Sequence, residues 1–373
     1  MNKVVEEASE KAGWLLLNAG GISTRLQNEL LDRFGSPDAI FGATNEELRT
    51  VEGVAATHLG RLRSAEAEIE VDVLLERLDE LALRLVTLDD EDYPPLLRET
   101  EYPPPLLFVQ GDLTDRDELA VALVGTRKRT GYGEMVTERL AGELVRRGFT
   151  VVSGLAVGID ADAHRAALDA GGRTIGVLAC GIDVNYPAAN AELRERMAQS
   201  GAVVSEFALG TEPRRGMFPQ RNRIISGISL GTVVVEAPVK SGALITARLA
   251  GEQGREVFAV PGSIRSPVSR GCHHLLRDGA VLVETAEDIV EGLGIMFEAV
   301  PEREPEKERQ RKLDDLPADQ LQVLEALSHH PRNIDDVADD CGLVAAQVSS
   351  TLMLLEVKGL VKRFPGNQFV RTS

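Results

Sequence analysis

The apolar run Leu119-Ala120-Val121-Ala122-Leu123-Val124-Gly125 ends in a glycine and shows no alternation of polar and apolar residues. A second run, Phe149-Thr150-Val151-Val152-Ser153-Gly154, follows a segment with helical periodicity over residues 135–147. Strands without alternation are buried on both faces, which is typical of a parallel sheet between two layers of helices. The two runs therefore predict an α/β domain.

The same pattern of strands and helices continues along the chain. Further strands are predicted at 174–179, 202–206, 232–236, 257–260 and 280–283, and further helices at 160–170, 191–199, 221–228 and 246–253. The fold class that follows is a Rossmann-like, doubly wound and mostly parallel sheet over residues 118–296. Ligands of such sheets bind beyond the carboxyl ends of the strands, so the loops after the strands are the candidate site.

Residues 1–80 have the spacing of a small helical domain. Apolar residues recur at helical intervals from Trp14 to Phe34, and the glycines at 20, 21 and 53 interrupt the helices. A glycine turn between short helices resembles a helix-hairpin-helix or SAM-like unit, which can present backbone N–H groups to a phosphate. Because these turns are poor in lysine and arginine, a packing role is favoured. Residues 81–117 contain runs of proline and are predicted to be a stiff, extended connection.

The C-terminal part of the chain restarts a fold after a charged segment. Residues 297–315 consist largely of charged residues and proline, and we predict a flexible linker there. Residues 316–373 show three helical segments, followed by a hairpin that turns at Pro365-Gly366-Asn367. This order of elements predicts a winged-helix-like domain.

Composition excludes several classes of protein. The chain has 373 residues and a formal net charge of -18. No run of about 20 apolar residues exists, so no membrane span is predicted, and residues 1–7 do not resemble a signal peptide. The cysteines at 180, 272 and 341 lie far apart, which indicates a reducing compartment rather than a disulfide framework. We therefore predict a cytoplasmic location.

Cations, small residues and hydroxyls gather in the loops that follow the predicted strands. Gly125-Thr126-Arg127 follows the first strand, Ser153-Gly154 follows the second, and Lys240-Ser241-Gly242 precedes a helix that contains Thr246. Arg221-Asn222-Arg223 opens another helix. Glycine permits close approach of the backbone, and arginine matches phosphate oxygens with a planar fork. Because the whole chain is acidic, a polyanion is expected to bind only at such a local patch.

Support for catalysis is weak. His164 has no nucleophile or metal-ligand set beside it in the sequence, and we interpret it as a packing or capping histidine. Cys272-His273-His274 lacks a second cluster with which to bind zinc. Glu236 is expected to accept backbone N–H groups, and Cys180 to be a small buried hydrophobe. We predict no catalytic residue, no metal and no cofactor, and hence a protein that is not an enzyme.

Segments of the central domain resemble the DNA-processing protein A family (DprA, also called Smf). The matching segments are Val124–Arg127 with Gly131–Gly133, Ser153–Asp160 with Ala163 and His164, Gly181–Pro187, Phe218–Ile225, Ser241–Ala247, Gly254–Gly262 and Gly271–Ala280. Together they span nearly all of residues 120–290 in order. A helical N-terminal piece and a winged-helix-like C-terminus are the family's usual companions.

The resemblance implies binding of single-stranded DNA without sequence preference, loading of the recombinase RecA onto that strand, and a role in natural transformation and recombination. It implies that Arg127 is the main phosphate contact and that Arg221, Asn222 and Arg223 form a basic element. The residues that would line the same pocket are Gly125, Thr126, Ser153, Gly154, Lys240, Ser241, Gly242 and Thr246. Phe218 and Tyr186 are expected to offer stacking surfaces for bases.

The resemblance also implies a homodimer. The stretch that contains His273, Leu276, Arg277 and Leu282 matches the region through which family members dimerise. One departure concerns the residue after Tyr186-Pro187, which is often basic in the family and is Ala188 here. This change removes one expected cation, so the expectation is either weaker binding or phosphate contacts made instead by Lys240, Arg214 or Arg215.

Two other functions stay open at this point. The first is a nucleotide-processing enzyme that resembles the phosphoribohydrolases, but Pro261-Gly262-Ser263 lacks the remainder of their Pro-Gly-Gly-x-Gly-Thr run. The second is a winged-helix transcription factor, but its third helix, residues 344–358, offers no arginine to read guanine. We interpret the C-terminal domain as an interaction module, with weak binding to duplex DNA through Lys358, Lys362 and Arg363.

Overall fold

The computed structural model describes residues 11–294, 316–327, 332–358, 360–364 and 368–371. The predicted linker, the predicted turn at residues 365–367 and residues 1–7 lie outside these described residues. The chain divides into two compact units, with the boundary between Phe297 and Glu298.

The first unit contains a sheet of nine strands. The strands are β1 (Leu83–Thr87), β2 (Leu106–Gly111), β3 (Ala120–Val124), β4 (Thr150–Ser153), β5 (Thr174–Val177), β6 (Ala202–Ser205), β7 (Gly231–Val234), β8 (Glu256–Ala259) and β9 (Val281–Leu282). Their spatial order is β1-β2-β6-β5-β4-β3-β7-β8-β9. The pairs β1–β2 and β2–β6 are antiparallel, and all other pairs are parallel.

Helices precede the sheet and connect its strands. They are α1 (Ala12–Ala19), α2 (Thr24–Phe34), α3 (Pro37–Gly42), α4 (Asn45–Leu48), α5 (Ala56–Glu68), α6 (Val71–Glu80), α7 (Pro95–Arg98), α8 (Gly131–Arg146), α9 (Ile159–Asp169), α10 (Ala191–Ser200), α11 (Met217–Ile228), α12 (Gly242–Glu252), α13 (Arg270–Arg277) and α14 (Ala286–Gly292). Helices α1–α6 confirm the predicted helical character of the N-terminal region.

Strand β3 shows why the sheet is covered on both faces. All five of its residues are buried. Val121 and Leu123 pack in a core with residues of α8, α9 and α14, whereas Ala122 and Val124 pack in a second core with residues of α11 and α12. Alternate side chains of a strand point to opposite faces, so an unbroken apolar run places one helix layer on each side. The predicted doubly wound α/β fold is confirmed.

The strand order also contains a topological switch point. From β3 the chain builds outward through β4, β5 and β6, and then returns to place β7 on the other side of β3. Val121 of β3 accordingly faces Val151 of β4 on one side and Gly231 of β7 on the other. A crevice forms beyond the carboxyl ends of the strands at such a point, where connections leave in opposite directions. This is the position of the candidate site.

The segment 81–117, predicted as a proline-rich connection, contributes two strands to the sheet. Strand β1 pairs with β2, and β2 continues the sheet at β6. The prolines lie between the two strands, where the buried Tyr93 hydroxyl donates a hydrogen bond to the carbonyl oxygen of Pro104 at 2.9 Å. Proline has no N–H to donate to a strand ladder. The abundance of proline in this segment therefore masked the sequence signal of the two short strands beside it. The domain boundaries themselves remain a prediction.

Two helices at the candidate site begin earlier than the sequence pattern predicts. Helix α11 begins at Met217 rather than at residue 221, because a proline, here Pro219, is compatible with the first turn of a helix. Helix α12 begins at Gly242 rather than at residue 246, with Ser241 as its N-cap. Both predicted loops are therefore shorter, and more of their residues belong to helix N-termini.

The second unit contains three helices and a three-stranded sheet among its described residues. The elements are α15 (Ala318–Glu325), β10 (Arg332–Asn333), α16 (Ile334–Cys341), α17 (Ala345–Val357), β11 (Val361–Phe364) and β12 (Gln368–Arg371). Strands β11 and β12 form the predicted antiparallel hairpin, and β10 pairs with β12. A separate hydrophobic core that includes Val323, Val337, Leu352 and Phe369 holds this unit together.

Candidate nucleic-acid interface

Arg127 lies on the surface, directly after β3 at the switch point. Its guanidinium carbon lies 5.1 Å from the centroid of the Phe218 ring, at the start of α11. The Phe218 ring in turn meets the ring of Tyr186 edge-on, with centroids 6.0 Å apart and an interplanar angle of 63°. Tyr186 is 36% exposed, and Phe218 is half-buried. A cation and two aromatic rings thus form one continuous surface, which we call the aromatic–arginine surface.

Arg221 lies beneath this surface and is buried. Its guanidinium donates hydrogen bonds to the carbonyl oxygen of Gly154 at 2.6 Å and to the carbonyl oxygen of Val177. These carbonyls follow β4 and end β5. Burial lowers the pKa of Arg221 to about 10, and the nearby Asp160 carboxylate opposes that shift. Arg221 therefore ties α11 to the ends of two strands.

Asp160 organises the loops around Arg221. Its buried carboxylate accepts hydrogen bonds from the backbone N–H groups of Gly125, Gly154 and Ala156. Burial raises the pKa of Asp160, whereas Arg221 and these N–H groups lower it. The role of Asp160 as an acceptor for two separate loops was missed, because that role depends on strands that are neighbours only in the folded sheet.

Two glycines allow the loops to approach each other closely. A Cβ atom at Gly154 would lie 2.5 Å from the guanidinium of Arg221. Gly158 has a φ of 91°, and a Cβ atom there would lie 2.5 Å from the carbonyl oxygen of Thr126. Positive φ values favour glycine, since a side chain would strain the backbone. The loops after β3 and β4 consequently pack directly against each other.

The loop with Lys240, Ser241 and Gly242 joins the same edge. The side-chain amide of Asn222 donates to the carbonyl oxygen of Gly242 at 3.3 Å, which links α11 to the start of α12. The hydroxyl of Ser241 accepts from the N–H of Ala243 at 3.3 Å. Lys240 and Gly242 are exposed, and Ser241 is half-buried. The structure therefore brings this loop, α11 and the end of β4 together, as the sequence pattern predicted.

Accessibility divides the predicted site residues into two groups. Accessible residues are Arg127, Lys240, Gly242, Gly125 and Ser241, which are exposed or half-buried. Buried residues are Thr126, Ser153, Gly154, Arg221, Asn222 and Thr246. Ser153, for example, donates its hydroxyl proton to the carbonyl oxygen of Leu123 at 2.6 Å. The second group shapes the edge, and only the first group is accessible from solvent.

Arg223 occupies a different place from Arg127 and Lys240. Its side chain is 18% exposed and forms an ion pair with Glu206, whose side chain is 5% exposed. It also donates to the carbonyl oxygen of Tyr102 at 2.9 Å. Residues that follow each other in a helix are about 100° apart, so Asn222 and Arg223 face different neighbours. Arg223 is held by a carboxylate instead of lying free at the site.

Three other predictions from the sequence are confirmed. Glu236 accepts from the N–H and the hydroxyl of Thr130 at 2.9 and 2.6 Å. His164 is fully buried, and burial lowers its pKa to about 3. The Thr174 hydroxyl donates to the carbonyl oxygen of Val151, so His164 Nδ1 donates to that hydroxyl at 2.6 Å. Cys180 is buried, and burial raises the pKa of its thiol to about 11.

The residues predicted for a dimer interface lie on and after α13. Arg277 and Leu282 are exposed, and Leu276 is half-buried. His273 donates from Nε2 to the carbonyl oxygen of Gly262 at 3.0 Å. Leu282 belongs to β9, which stands beside β8 at one end of the nine-stranded order. An exposed leucine on such a strand is compatible with the predicted interface, which remains a prediction.

Metal-binding clusters and membrane-spanning helices are both absent from the described residues. No group of three or more histidine, cysteine, aspartate or glutamate side chains in that part of the chain is arranged to hold a metal ion. None of its helices is both long and apolar enough to cross a membrane.

Comparisons with known proteins support one family. The model of the family described as DNA recombination-mediator protein A matches residues 84–294, and the model of the DprA winged helix domain matches residues 307–367. The protein Smf of Synechocystis sp. is 34% identical to this chain over 398 aligned residues, which cover 97% of this chain and 99% of that protein. The predicted winged-helix domain is thereby confirmed.

Two solved structures resemble the chain as well. The X-ray structure of DNA processing protein A (DprA) from Streptococcus pneumoniae has a TM-score of 0.67 and 34% identity, and the match covers 78% of this chain and 98% of that one. A DNA processing protein A from Helicobacter pylori, whose structure concerns binding of single-stranded DNA, has a TM-score of 0.51 and 32% identity, with 56% and 95% covered. The fold, the order of the motifs and these matches agree, and the chain belongs to the DNA recombination-mediator protein A family, known as DprA or Smf.

Proposed function

We propose that the chain binds single-stranded DNA, without preference for sequence, along the edge that contains the aromatic–arginine surface. The observation that carries this proposal is the contact of Arg127 with Phe218 beside Tyr186 at the switch point. Proteins that bind single strands combine cations that follow the backbone with aromatic rings on which bases stack. Both components lie within one continuous surface here.

Unpaired bases fit this surface better than a duplex does. Stacking on an aromatic side chain contributes about 1–3 kcal/mol per base and tolerates any sequence, because every base has a π-face. The bases of a duplex are stacked on each other and cannot reach Phe218 or Tyr186 without melting. The accessible residues belong to loops and a helix N-terminus, whereas a major groove is entered by a protruding helix or ribbon. Recognition by stacking and phosphate contact therefore predicts single-strand preference.

The direct contacts we propose are those that the structure leaves accessible. Arg127 and Lys240 supply cations, and the N-terminal turn of α12 with Ser241 and Gly242 supplies backbone N–H groups for a phosphate. Arg221, Asn222, Ser153, Gly154, Thr126 and Thr246 hold the edge in shape from beneath. Because the chain carries a net charge of -18, this small set of cations defines where a polyanion is tolerated.

The relatives support the same assignment. The Helicobacter pylori protein, which resembles this chain in fold and sequence, binds single-stranded DNA. By this similarity we infer that the present chain acts on DNA during recombination and natural transformation, in the cytoplasm and without catalysis. We further infer that it loads RecA and works as a homodimer through the region of Arg277 and Leu282. A pair of subunits would place two binding edges on one strand.

A binding comparison tests the central proposal. Labelled oligonucleotides of several sequences, single-stranded or annealed, are titrated with the full chain and with a variant that ends before residue 298. We expect both proteins to bind single strands of any sequence more tightly than duplexes. Equal affinity for the two forms, or binding that disappears with the C-terminal unit, would refute the assignment to this edge. The same samples, incubated with nucleotides, are expected to show no turnover.

RecA loading needs a separate measurement. Filament formation by RecA on a limiting amount of single-stranded DNA is followed with and without the protein. We expect faster nucleation with the wild type and no acceleration with Arg127→Ala, because loading requires that the protein hold the strand. Acceleration by both proteins would show that any effect on RecA does not pass through the proposed edge.

A further inference from the structure

A buried ion pair joins the N-terminal helices to the helix that carries the proposed DNA-binding surface. Glu206 follows β6, and its carboxylate accepts from Arg223 of α11 and from the Thr24 hydroxyl at 3.3 Å. The backbone carbonyl oxygen of Glu206 accepts from the side-chain amide of Asn18 at 2.8 Å. Asn18 lies in the last turn of α1, and Thr24 begins α2. Glu206 is thus bound from α1, α2 and α11 at once.

The proline-rich segment enters the same cluster. Arg223 donates to the carbonyl oxygen of Tyr102 at 2.9 Å. The side-chain amide of Asn28, on α2, donates to the carbonyl oxygen of Pro103 at 2.9 Å. The carbonyl oxygen of Arg223 itself accepts from the side-chain amide of Gln253 at 2.9 Å. We call the set Asn18, Thr24, Tyr102, Glu206 and Arg223 the junction.

The position of Arg223 in α11 connects the junction to the aromatic–arginine surface. Phe218, which stacks with Arg127, precedes Arg223 by about one and a half turns of the same helix. Arg221 lies between them and binds the ends of two strands. Helix α11 is therefore fixed at one point to the sheet and at a second point to the N-terminal helices. The junction residue Arg223 and the first turn of α11, which carries Phe218, thus belong to one helix.

We propose that Glu206 and Arg223 are positioning residues, which form a buried latch that couples the N-terminal helices to the DNA-binding surface through α11. Arg223 does not act as a phosphate contact in this proposal, although its sequence motif resembles one. The proposal rests on the proposed function for its effect on DNA. The latch itself is a property of the free protein and is tested without DNA.

The chain contains a natural reporter for the latch. Trp14 in α1 is the single tryptophan, and it packs against a core that includes Phe108 of β2. In Glu206→Gln, the junction loses a charge but keeps a side chain of similar shape. We expect Trp14 emission to shift to longer wavelength, and backbone hydrogen exchange to accelerate in α2 and in the first two turns of α11. Unchanged fluorescence and exchange would overturn the latch, whatever the DNA results.

DNA binding then separates positioning from direct contact. We expect Glu206→Gln to weaken single-strand binding about 10-fold, the size of coupling found within one hydrogen-bond network, with an unchanged salt slope. If Arg223 contacted phosphate, its release from Glu206 would instead strengthen binding. Glu252→Gln is the matched control, because it removes the same charge from an exposed pair with Arg248 on α12. Stronger binding by Glu206→Gln than by this control would overturn the proposal.

Arg223→Ala provides an independent comparison. A residue that contacts phosphate lowers the magnitude of the salt slope by about 0.7 when it is removed. We expect Arg223→Ala to weaken binding while the slope keeps its wild-type value, whereas Arg127→Ala lowers it. A lowered slope for Arg223→Ala would contradict the positioning role. If Arg223→Ala fails to fold, Glu206→Gln still separates a positioning role of Arg223 from a phosphate contact. If the wild type itself fails to bind single strands, the proposed function falls, and the fluorescence and exchange results still decide the latch.

Discussion

Replacement of Arg127 by alanine tests the proposed DNA contact most directly. The residue is exposed at the carboxyl end of β3, so its removal leaves the core intact. A hydrogen bond to a charged group contributes about 1.5–3 kcal/mol, which corresponds to about a 10- to 150-fold loss of affinity. The variant also releases one counterion fewer, so the slope of log K against log salt should fall in magnitude by about 0.7.

The structure adds a second contribution to this loss. The Arg127 guanidinium lies over the Phe218 ring, and such a cation–π contact stabilises an exposed pair by about 0.5–1 kcal/mol. Without it, the ring that is proposed to stack on a base is held less firmly. We therefore expect the measured loss to lie nearer the upper than the lower end of the range.

Fluorescence anisotropy with labelled oligonucleotides at several salt concentrations measures both quantities. Arg77→Ala is a suitable control, because Arg77 is exposed on α6 and forms a surface pair with Glu80. The control changes the net charge equally and is expected to leave affinity and slope unchanged. Equal losses in the two variants would mean that only overall charge matters, and an unchanged slope in Arg127→Ala would refute the contact.

Three other variants have defined outcomes. Phe218→Leu should lower single-strand affinity by about 1–3 kcal/mol, the contribution of one stacked base, without changing the salt slope. Because burial lowers the pKa of His164 from its ordinary 6.5 to about 3, the unfolded state alone takes up a proton between these values. Wild-type unfolding free energy should then fall by about 2 kcal/mol from pH 7 to pH 5, and His164→Leu should show a flatter dependence in denaturant titrations. Leu282→Glu should yield monomers in sedimentation.

For each of these variants, one result would contradict the expectation. A salt slope that changes in Phe218→Leu would point to lost phosphate contacts rather than lost stacking. A pH dependence in His164→Leu as steep as that of the wild type would exclude His164 as its source. Dimers that persist in Leu282→Glu would place the interface elsewhere.

The central sheet was predictable from the sequence for a physical reason. Strands such as β3 and β4 are buried on both faces, so their apolar runs are a local signal of a parallel sheet. Strands β1 and β2 carry a weaker signal, because β2 stands directly after a proline-rich stretch that is typical of a connection. Proline density describes the chain locally, but the pairing of β2 with β6 depends on residues about a hundred positions away.

The candidate site was predictable in its location and less so in its chemistry. The rule that ligands bind beyond strand ends selects the loops after β3, β4 and β7 without any structure. Whether a particular arginine side chain is accessible to a ligand depends on its partner in the folded chain. Glu206, which binds Arg223, directly follows the carboxyl end of β6, and no periodicity in the sequence links the two residues. Burial of Arg221 and pairing of Arg223 thus required the fold.

The inward orientation of Arg221 has a consequence for how an acidic protein attracts a polyanion. The carbonyl oxygens of Gly154 and Val177, at the ends of β4 and β5, carry partial negative charge that would repel a phosphate. Arg221 covers both of them, so the crevice becomes less negative without gaining an exposed cation. Because this masking of negative dipoles requires no exposed cation, the rest of the surface can stay poor in positive charge. Such a surface disfavours adhesion to the many other polyanions in a cell.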